Sequence, residues 1–165
     1  TVDLNALIAP NDPLQSHVTL HQGVDINDRG QIVADGCDSA TGNCHAYLVS
    51  PDADADGIPD ATDNCVFVPN GTLLPIGATL LSQRDTDGDA YGNLCDPDFN
   101  QDGTVNINDF NRLKARLNIT PVVDVDADLD GNGAVNINDL NRLKSFLGKP
   151  PGPSGLRPSC PPTCP

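Results

Sequence analysis

Short runs of alternating apolar and polar residues fill the first 50 positions of the chain. The runs SHVTLHQGVDI, GQIVADG and CHAYLVS are separated by NDRG and DSATGN, both rich in turn-forming residues. This pattern predicts three strands joined as a meander. The preceding stretch TVDLNALI also alternates, at Val2, Leu4 and Ala6, and we expect it to add a fourth strand or a terminal arm.

A helical period replaces this alternation in residues 98–148. The segments DFNQDGTVNINDFNRLKARL and DLDGNGAVNINDLNRLKSFL agree at most positions. Each predicts a helix with one apolar face, formed by Phe110, Leu113 and Leu117 in the first and by Leu140, Leu143 and Leu147 in the second. Neither helix is long enough to be stable alone in water, so we expect the two faces to pack antiparallel and bury each other.

The rest of the chain shows little periodicity. Residues 51–97 are rich in Asp, Gly and Pro, which predicts irregular backbone, and residues 149–165 are a Pro-rich tail that we expect to be extended. The sequence therefore predicts an α+β fold with little regular structure. Its expected parts are a small antiparallel β-module at 1–50, a loop segment at 51–97, a pair of loop–helix units at 98–148 and the tail at 149–165.

The composition leaves little material for a hydrophobic core. The chain has 165 residues, with four Phe, two Tyr, no Trp and no Met, against 15 Gly and 15 Pro. Small extracellular modules of this kind are commonly stabilised by metal ions and disulfides. No apolar run is long enough to cross a membrane, nothing resembles a signal peptide, and the chain begins without Met. We therefore expect a mature or excised piece of a secreted, extracellular protein.

The net charge of −14 disfavours nucleic acid as a partner, because contacts with phosphates need Lys and Arg. Most of the acidic residues lie in loops at fixed spacing, which is typical of a metal site. An EF-hand-type loop supplies calcium with oxygen ligands from positions 1, 3, 5, 7, 9 and 12, where position 7 uses its main-chain carbonyl and position 6 is Gly.

Two windows in the loop–helix units fit this template. The first offers Asp98, Asn100, Asp102, the carbonyl of Thr104, Asn106 and Asp109, with Gly103 at position 6. The second offers Asp128, Asp130, Asn132, the carbonyl of Ala134, Asn136 and Asp139, with Gly133 at position 6. Position 12 is Asp rather than Glu, which shortens the reach of a bidentate contact, and the Asn at position 9 can bind directly or through water.

Two further windows lie in residues 51–97. DADADGIPDATD offers Asp52, Asp54, Asp56, the carbonyl of Ile58, Asp60 and Asp63. DTDGDAYGNLCD offers Asp85, Asp87, Asp89, the carbonyl of Tyr91, Asn93 and Asp96, with Ala90 at position 6. One such window can be a solvated turn, but four in register, two of them followed by amphipathic helices, indicate about four calcium sites. Without metal, repulsion between the carboxylates would force these segments apart.

Six cysteines, an even number in a loop-rich chain, indicate disulfides and an oxidising compartment. No CxxC pair occurs, which disfavours a zinc ribbon or a thioredoxin site. Cys37 and Cys44 flank the turn DSATGN, and we expect a bridge across that hairpin. Cys160 and Cys164 enclose PPT, where a local bridge and an intermolecular bridge are both open.

The two repeats of residues 98–148 resemble a type I dockerin. The similarity covers both calcium loops and the helices VNINDFNRLKARL and VNINDLNRLKSFL. It implies a domain whose duplicated helix faces bind a cohesin domain, with near-symmetry that permits two docking orientations. Loop positions 10 and 11 help to set partner choice in that family, and here they are Ile107–Asn108 and Ile137–Asn138.

Residues 52–97 resemble thrombospondin type 3 repeats, on the evidence of DADADGIPDATDNC and DTDGDAYGNLCD. That similarity implies calcium-wrapped segments with almost no hydrophobic core and a bridge between Cys65 and Cys95. Residues 3–50 look like one copy of a HAF-type extracellular repeat, through DLNALI, GVDINDRGQIVADG and HAYLVSP. Such repeats occur in tandem, so a single copy is expected to leave sheet edges open for pairing with another chain.

Three functions are consistent with these features. The favoured hypothesis is a secreted, calcium-stabilised structural protein that assembles head to tail, through a donated strand or arm, into an extracellular fibre or surface layer. The second is a dockerin-like binding module that anchors a secreted protein to a cohesin-like partner. The third is the non-catalytic portion of a secreted hydrolase. No catalytic arrangement of residues stands out, so the chain is not predicted to be an enzyme.

Overall fold

The computed structural model describes residues 2–10, 12–71 and 83–156. Within these ranges the strands and helices are β1 (Val18–Ile26), β2 (Ile32–Asp38), β3 (Asn43–Val49), α1 (Ile107–Lys114) and α2 (Ile137–Phe146), with short 3₁₀ turns at Leu4–Leu7, Asp60–Thr62 and Asn93–Cys95. The α+β fold with little regular structure is confirmed. Among the described residues, no helix has the length and apolar character that a membrane crossing requires.

The three strands form one antiparallel sheet in the order β1-β2-β3, which confirms the predicted meander. The turn between β1 and β2 is held by Asn27, whose side-chain oxygen accepts the N–H groups of Arg29 and Gln31, each at 3.0 Å. In the second hairpin Cys37 lies opposite Cys44, and a disulfide joins them. This is the bridge that the hairpin spacing predicts.

The N-terminal stretch is not a strand, so the predicted fourth strand is wrong. Leu4–Leu7 form a 3₁₀ turn that begins at Asp3, whose side chain accepts the Asn5 N–H at 2.9 Å. A short polar side chain that bonds to the backbone in this way favours a turn over an extended conformation. The Asn5 amide then bonds to both main-chain groups of Leu20, accepting its N–H at 2.7 Å and donating to its carbonyl at 2.8 Å. A side chain, rather than a strand, therefore occupies this part of the outer edge of β1.

The largest buried cluster in the described residues combines both helices with the loops that precede them. Its buried members are Phe99, Val105, Leu113, Ala127, Leu129, Val135 and Leu143, and Phe110, Leu117, Leu140 and Phe146 pack against them. The apolar faces of the two helices therefore meet, as their periodicity predicts. Loop residues supply the rest of the core, which explains how two short helices form a stable pair.

Two residues predicted to lie on the helix faces fall beyond the ends of the helices. Leu117 follows α1 but still packs against the core, whereas the prediction for Leu147 is wrong. The chain leaves the helix after Phe146, because Gly148 donates its N–H to the carbonyl of Val105 and Val105 donates to the carbonyl of Lys149, both at 2.9 Å. Leu147 is left 45% exposed. Phe146 packs against the helix core in its place.

The loop segment of residues 52–97 has its own small cluster around a second disulfide. Cys65 and Cys95 are bridged, and both are buried beside Leu94. Phe146 packs against this cluster as well as against the helix core. The cluster of Cys65, Leu94 and Cys95 therefore packs directly on α2.

The chain returns to this loop segment after α2. Three backbone hydrogen bonds hold residues 152–155 against it, and they are Gly152 N–H to Cys95 O at 3.0 Å, Val66 N–H to Pro153 O at 3.0 Å and Gly155 N–H to Asp63 O at 2.7 Å. The approach at Gly155 is so close that a methyl group there would overlap the carbonyl oxygen of Asp60. The sequence did not predict this contact. Cys160 and Cys164 lie outside the described residues.

Removing the Cys65–Cys95 bridge is expected to destabilise the chain more than removing the Cys37–Cys44 bridge. The sequence separations are 30 and 7 residues. Loop-closure entropy predicts losses of ~3.7 and ~2.4 kcal/mol respectively. Guanidinium unfolding in calcium of the Cys65→Ala/Cys95→Ala variant, with Cys37→Ala/Cys44→Ala as the matched control, measures this. A larger loss for the control pair would contradict the expectation.

Candidate metal centres

The four Asp-rich windows share one backbone conformation. In each of them the residues at positions 4 and 6 have positive φ angles. The values at position 4 are 59° for Ala55, 77° for Gly88, 55° for Gln101 and 69° for Gly131, and those at position 6 are 92° for Gly57, 75° for Ala90, 86° for Gly103 and 84° for Gly133. Residues other than Gly seldom adopt such angles. The window that carries Ala90 therefore folds as the same loop as the three that carry Gly.

The Asp at position 1 closes each loop in the same way. Its carboxylate accepts the backbone N–H of position 6, at 3.0 Å from Gly57 to Asp52, 3.0 Å from Ala90 to Asp85, 2.7 Å from Gly103 to Asp98 and 3.0 Å from Gly133 to Asp128. These bonds hold the first carboxylate over its own loop, which is where the oxygens of an EF-hand-type site converge.

In three of the loops, carboxylates lie close enough to share one ion. The groups are Asp52 with Asp54 and Asp56, Asp85 with Asp87 and Asp89, and Asp128 with Asp130 and Asp139, and within each group the oxygen atoms lie within 4.8 Å of one another. This spacing suits calcium, whose oxygen contacts are about 2.3–2.6 Å. In the loop of residues 98–109, position 3 is Asn100, so an amide oxygen stands where the other loops have a carboxylate.

Position 12 connects two of the loops to their helices. Asp109 and Asp139 are buried. Asp109 accepts the N–H groups of Asn100 at 3.3 Å and Asn106 at 2.8 Å, and Asp139 makes the matching pair of bonds in the second repeat. In both repeats this Asp and the Asn at position 9 form a capping box. The carboxylate that is predicted to complete the ligand set therefore also caps the start of the helix.

The side chains at position 9 bond to nearby backbone in all four loops. The oxygen atoms of Asp60, Asn93, Asn106 and Asn136 accept the N–H groups of Ala53, Thr86, Asn108 and Asn138 at 2.7–2.9 Å. The side chain at position 9 commonly contacts calcium through a water molecule, and such a contact would leave these hydrogen bonds in place.

Two buried carboxylate oxygens in the first loop fit a cation. Oδ2 of Asp54 and Oδ2 of Asp63 are buried and have no hydrogen-bond partner among the described residues. Burial, followed by repulsion from Asp56 and Asp63, raises the pKa of Asp54 to about 7. Buried oxygens without a donor are costly, and a bound divalent cation would supply the missing partner. The residues at positions 3 and 12 of this loop therefore suit a metal ion.

The second loop shows the same electrostatics more strongly. Burial, followed by repulsion from Asp89, raises the pKa of Asp96 to about 8. Burial also raises the pKa of the neighbouring Asp98, which begins the next loop. Carboxylates crowded and buried in this way favour the neutral acid unless a cation is present. Carboxylates from two successive loops therefore lie in one acidic region.

The comparisons with known proteins agree with this geometry. Residues 96–148 match the family model for the Dockerin type I domain. The chain is also similar to Thrombospondin-4-B of Danio rerio, at 39% identity over 72 residues, and to Thrombospondin-4 of Xenopus laevis, at 38% identity over 72 residues. In each case the similarity covers 38% of this chain and 6% of the relative. No solved structure matches.

The dockerin and thrombospondin resemblances are thereby confirmed. Dockerin domains and thrombospondin type 3 repeats bind calcium and are non-catalytic. The chain spans only about 6% of the length of the curated relatives it matches. The resemblance of residues 3–50 to a HAF-type repeat stays a prediction, as do the ligands of each loop and the number of ions.

Replacing Ala90 by Gly is expected to tighten calcium binding at the second loop. The left-handed region of backbone conformation destabilises a residue that has a side chain by ~1–2 kcal/mol. Gly does not have this penalty, but it loses ~0.5–1 kcal/mol more in conformational entropy on folding. The net gain of ~0.5–1 kcal/mol corresponds to a two- to fivefold increase in affinity. Isothermal titration calorimetry with calcium measures this change in affinity.

The matched control is Ala115→Gly. Ala115 follows α1 with a φ of −70°, where Gly brings no conformational relief. This control is expected not to tighten calcium binding, because Gly in helical backbone only lowers stability. Equal effects of the two substitutions would contradict the role assigned to Ala90.

A polar network that the sequence does not predict lies beside Asp63 of the first loop. Gln83 donates to Asp63 at 2.8 Å, and its oxygen accepts the Asn64 N–H at 2.7 Å. Asn70 is also buried here, and its side-chain oxygen accepts from the Gln83 amide at 2.7 Å. No local pattern marks Gln83, because its partners lie far from it in the sequence.

Proposed function

We propose that this chain is an extracellular, non-catalytic module that binds a protein partner in a calcium-dependent manner through its dockerin-like helices. The observation that carries this proposal is a duplicated apolar position. Ile107 and Ile137 are each the first residue of their helix, and they are 64% and 59% exposed.

The exposure of these residues contrasts with the burial of their neighbours. Leu113 and Leu143, one to two turns further on, are fully buried between the helices. Each helix therefore buries one face and presents an isoleucine on another, next to a calcium loop. Such a surface needs the loop to be folded, so partner binding should depend on calcium. A cohesin-like protein is the partner that the family of residues 96–148 suggests.

We retain four parts for the chain: 1–50, 51–97, 98–148 and 149–165. The calcium-loop segment and the dockerin-like unit pack together through Phe146, so they would act as a single support for the binding surface.

Head-to-tail assembly into a fibre or surface layer is not part of this proposal. Assembly by strand exchange requires an N-terminal strand that could pair with the next subunit. Leu4–Leu7 instead form a turn on their own sheet, and Asn5 takes up the edge groups of Leu20. These contacts favour a chain that satisfies its own edge at this point.

The test is binding of a purified type I cohesin by surface plasmon resonance, with and without calcium. The double variant Ile107→Asp/Ile137→Asp is expected to lose at least 100-fold in affinity, because both copies of the surface then carry a charge. Either single variant should lose only a few fold, since the other copy can still dock. Val123→Asp, at a 67% exposed position outside the helices, is the matched control and should bind normally. Binding that survives both the double variant and calcium removal would refute the proposal.

A further inference from the structure

Arg84 lies between the thrombospondin-like segment and the second dockerin-like calcium loop. It directly precedes the loop of residues 85–96, and only 15% of its side chain is exposed. Its guanidinium donates to the carbonyl oxygens of Asp128 at 2.6 Å and Val125 at 2.8 Å. Its Nη1 atom lies 3.8 Å from a carboxylate oxygen of Asp128. The guanidinium group of Arg84, beside one predicted calcium loop, thus contacts Asp128, the first predicted ligand of a loop 44 residues away.

The main chain of Arg84 is held by its own loop. Its carbonyl oxygen accepts the N–H of Asn93, the residue at position 9 of the loop 85–96, at 2.8 Å. Its side chain crosses the turn of the other loop so closely that a methyl group at Gly131 would lie 3.1 Å from Nη1. A change in the fold of loop 85–96 therefore moves a group that positions loop 128–139.

The contact is specific to one repeat. In both dockerin-like loops the carbonyl at position 1 accepts the N–H at position 4, at 3.1 Å from Gln101 to Asp98 and at 3.3 Å from Gly131 to Asp128. Among the described residues, only the Asp128 carbonyl of the two also accepts a guanidinium N–H. Loop 98–109 meets loop 85–96 by other routes, since Gln101 donates to Asp87 at 3.0 Å and Asp98 donates its N–H to Asp96 at 3.1 Å. The two dockerin-like loops are thus joined to the thrombospondin-like segment by different bonds.

We infer that Arg84 is a positioning residue that couples calcium binding at loop 128–139 to calcium binding at loop 85–96. This inference rests on the calcium binding of the proposed function. The forked guanidinium matters because it holds two carbonyl oxygens at once. Lysine carries the same charge on a single nitrogen and cannot reproduce that geometry.

The experiment is a double-mutant cycle on the full chain, with calcium binding followed by NMR at the amides of Gly103 and Gly133, each at position 6 of its loop. The variant Asp85→Ala removes the first ligand of loop 85–96. When Arg84 is present, Asp85→Ala should weaken the calcium affinity of loop 128–139, as reported by Gly133, by about 5- to 10-fold. This is within the usual range of coupling between sites. In an Arg84→Lys background, Asp85→Ala should change the calcium affinity reported by Gly133 by less than twofold. The effect of Asp85→Ala on the calcium affinity reported by Gly103 should be the same in both backgrounds.

Asp89→Asn, which leaves the Asp85 hydrogen bonds in place, repeats the cycle should Asp85→Ala disturb the fold. Undiminished coupling at Gly133 in the Arg84→Lys background would overturn the role of Arg84 while leaving calcium binding intact. The failure of the proposed function has a different signature, namely a Gly133 amide that does not respond to calcium in unchanged protein, and that result would overturn the inference too.

Discussion

Removing calcium with a chelator is expected to abolish the cooperative melting transition of residues 52–156. Seven of the aspartates in this region are buried, and they are Asp56, Asp63, Asp96, Asp98, Asp109, Asp128 and Asp139. Each site contributes ~2.7 kcal/mol when free calcium is about 100 times Kd, so four independent sites would contribute about 11 kcal/mol. The whole stability of an ordinary domain is about 5–15 kcal/mol, so this part of the chain should not stay folded without the ion.

Calorimetry and circular dichroism, with calcium and with excess chelator, measure this effect. The sheet of residues 18–49 serves as an internal control, because it contains none of the four loops and is closed by the Cys37–Cys44 bridge. Its strand signal should persist when the helix signal is lost. Addition of calcium should restore the transition. A melting transition that is the same with and without chelator would show that the loops are only solvated turns.

Replacing Asp139 by Ala is expected to remove one calcium ion and to loosen α2. The Asp139 side chain is fully buried, belongs to an acidic group of loop 128–139 and caps the helix. The loss of the ion costs ~2.7 kcal/mol at the calcium concentration given above, and the loss of the cap adds ~1 kcal/mol. Together these losses should lower Tm by more than ~15 °C.

The readouts are the calcium stoichiometry from isothermal titration and the Tm at saturating calcium. Asp28→Ala is the matched control, because it makes the same change of charge at an exposed turn residue outside the loops. It should leave both readouts unchanged. Asp109→Ala, at the same position of the first repeat, should reproduce the effect of Asp139→Ala. An unaltered stoichiometry in Asp139→Ala would show that this carboxylate is a helix cap and not a ligand.

Features that depend on contiguous residues could be predicted from the sequence. A calcium loop draws its oxygens from one window of twelve residues, so the spacing of Asp and Asn is enough to locate it. The same holds for the hairpins of the β-module and for the helical period of Leu113 and Leu143. Even the loop with Ala90 at position 6 was located, because its other positions follow the template.

The predictions that failed involve choices between local and distant partners. The alternation of TVDLNALI is compatible with a strand, but Asn5 finds both main-chain groups of Leu20 and favours a turn. The helical period of the second repeat points to Leu147, but the bonds that Val105 makes with the chain after α2 end the helix and bring Phe146 inward. In both cases a contact made across the fold outweighed a weak local preference.

The sequence by itself determined where the four Asp-rich loops lie, which helices follow the loops and which cysteines of the first hairpin can meet. Only the tertiary structure decided how these parts are joined: Arg84 on the carbonyls of Val125 and Asp128, residues 152–155 against the loop segment, and Phe146 between two cores. The reason is physical. A ligand ladder, a turn or an amphipathic face is set by neighbours along the chain, whereas a guanidinium or a returning backbone can be satisfied by any carbonyl that the fold brings within reach.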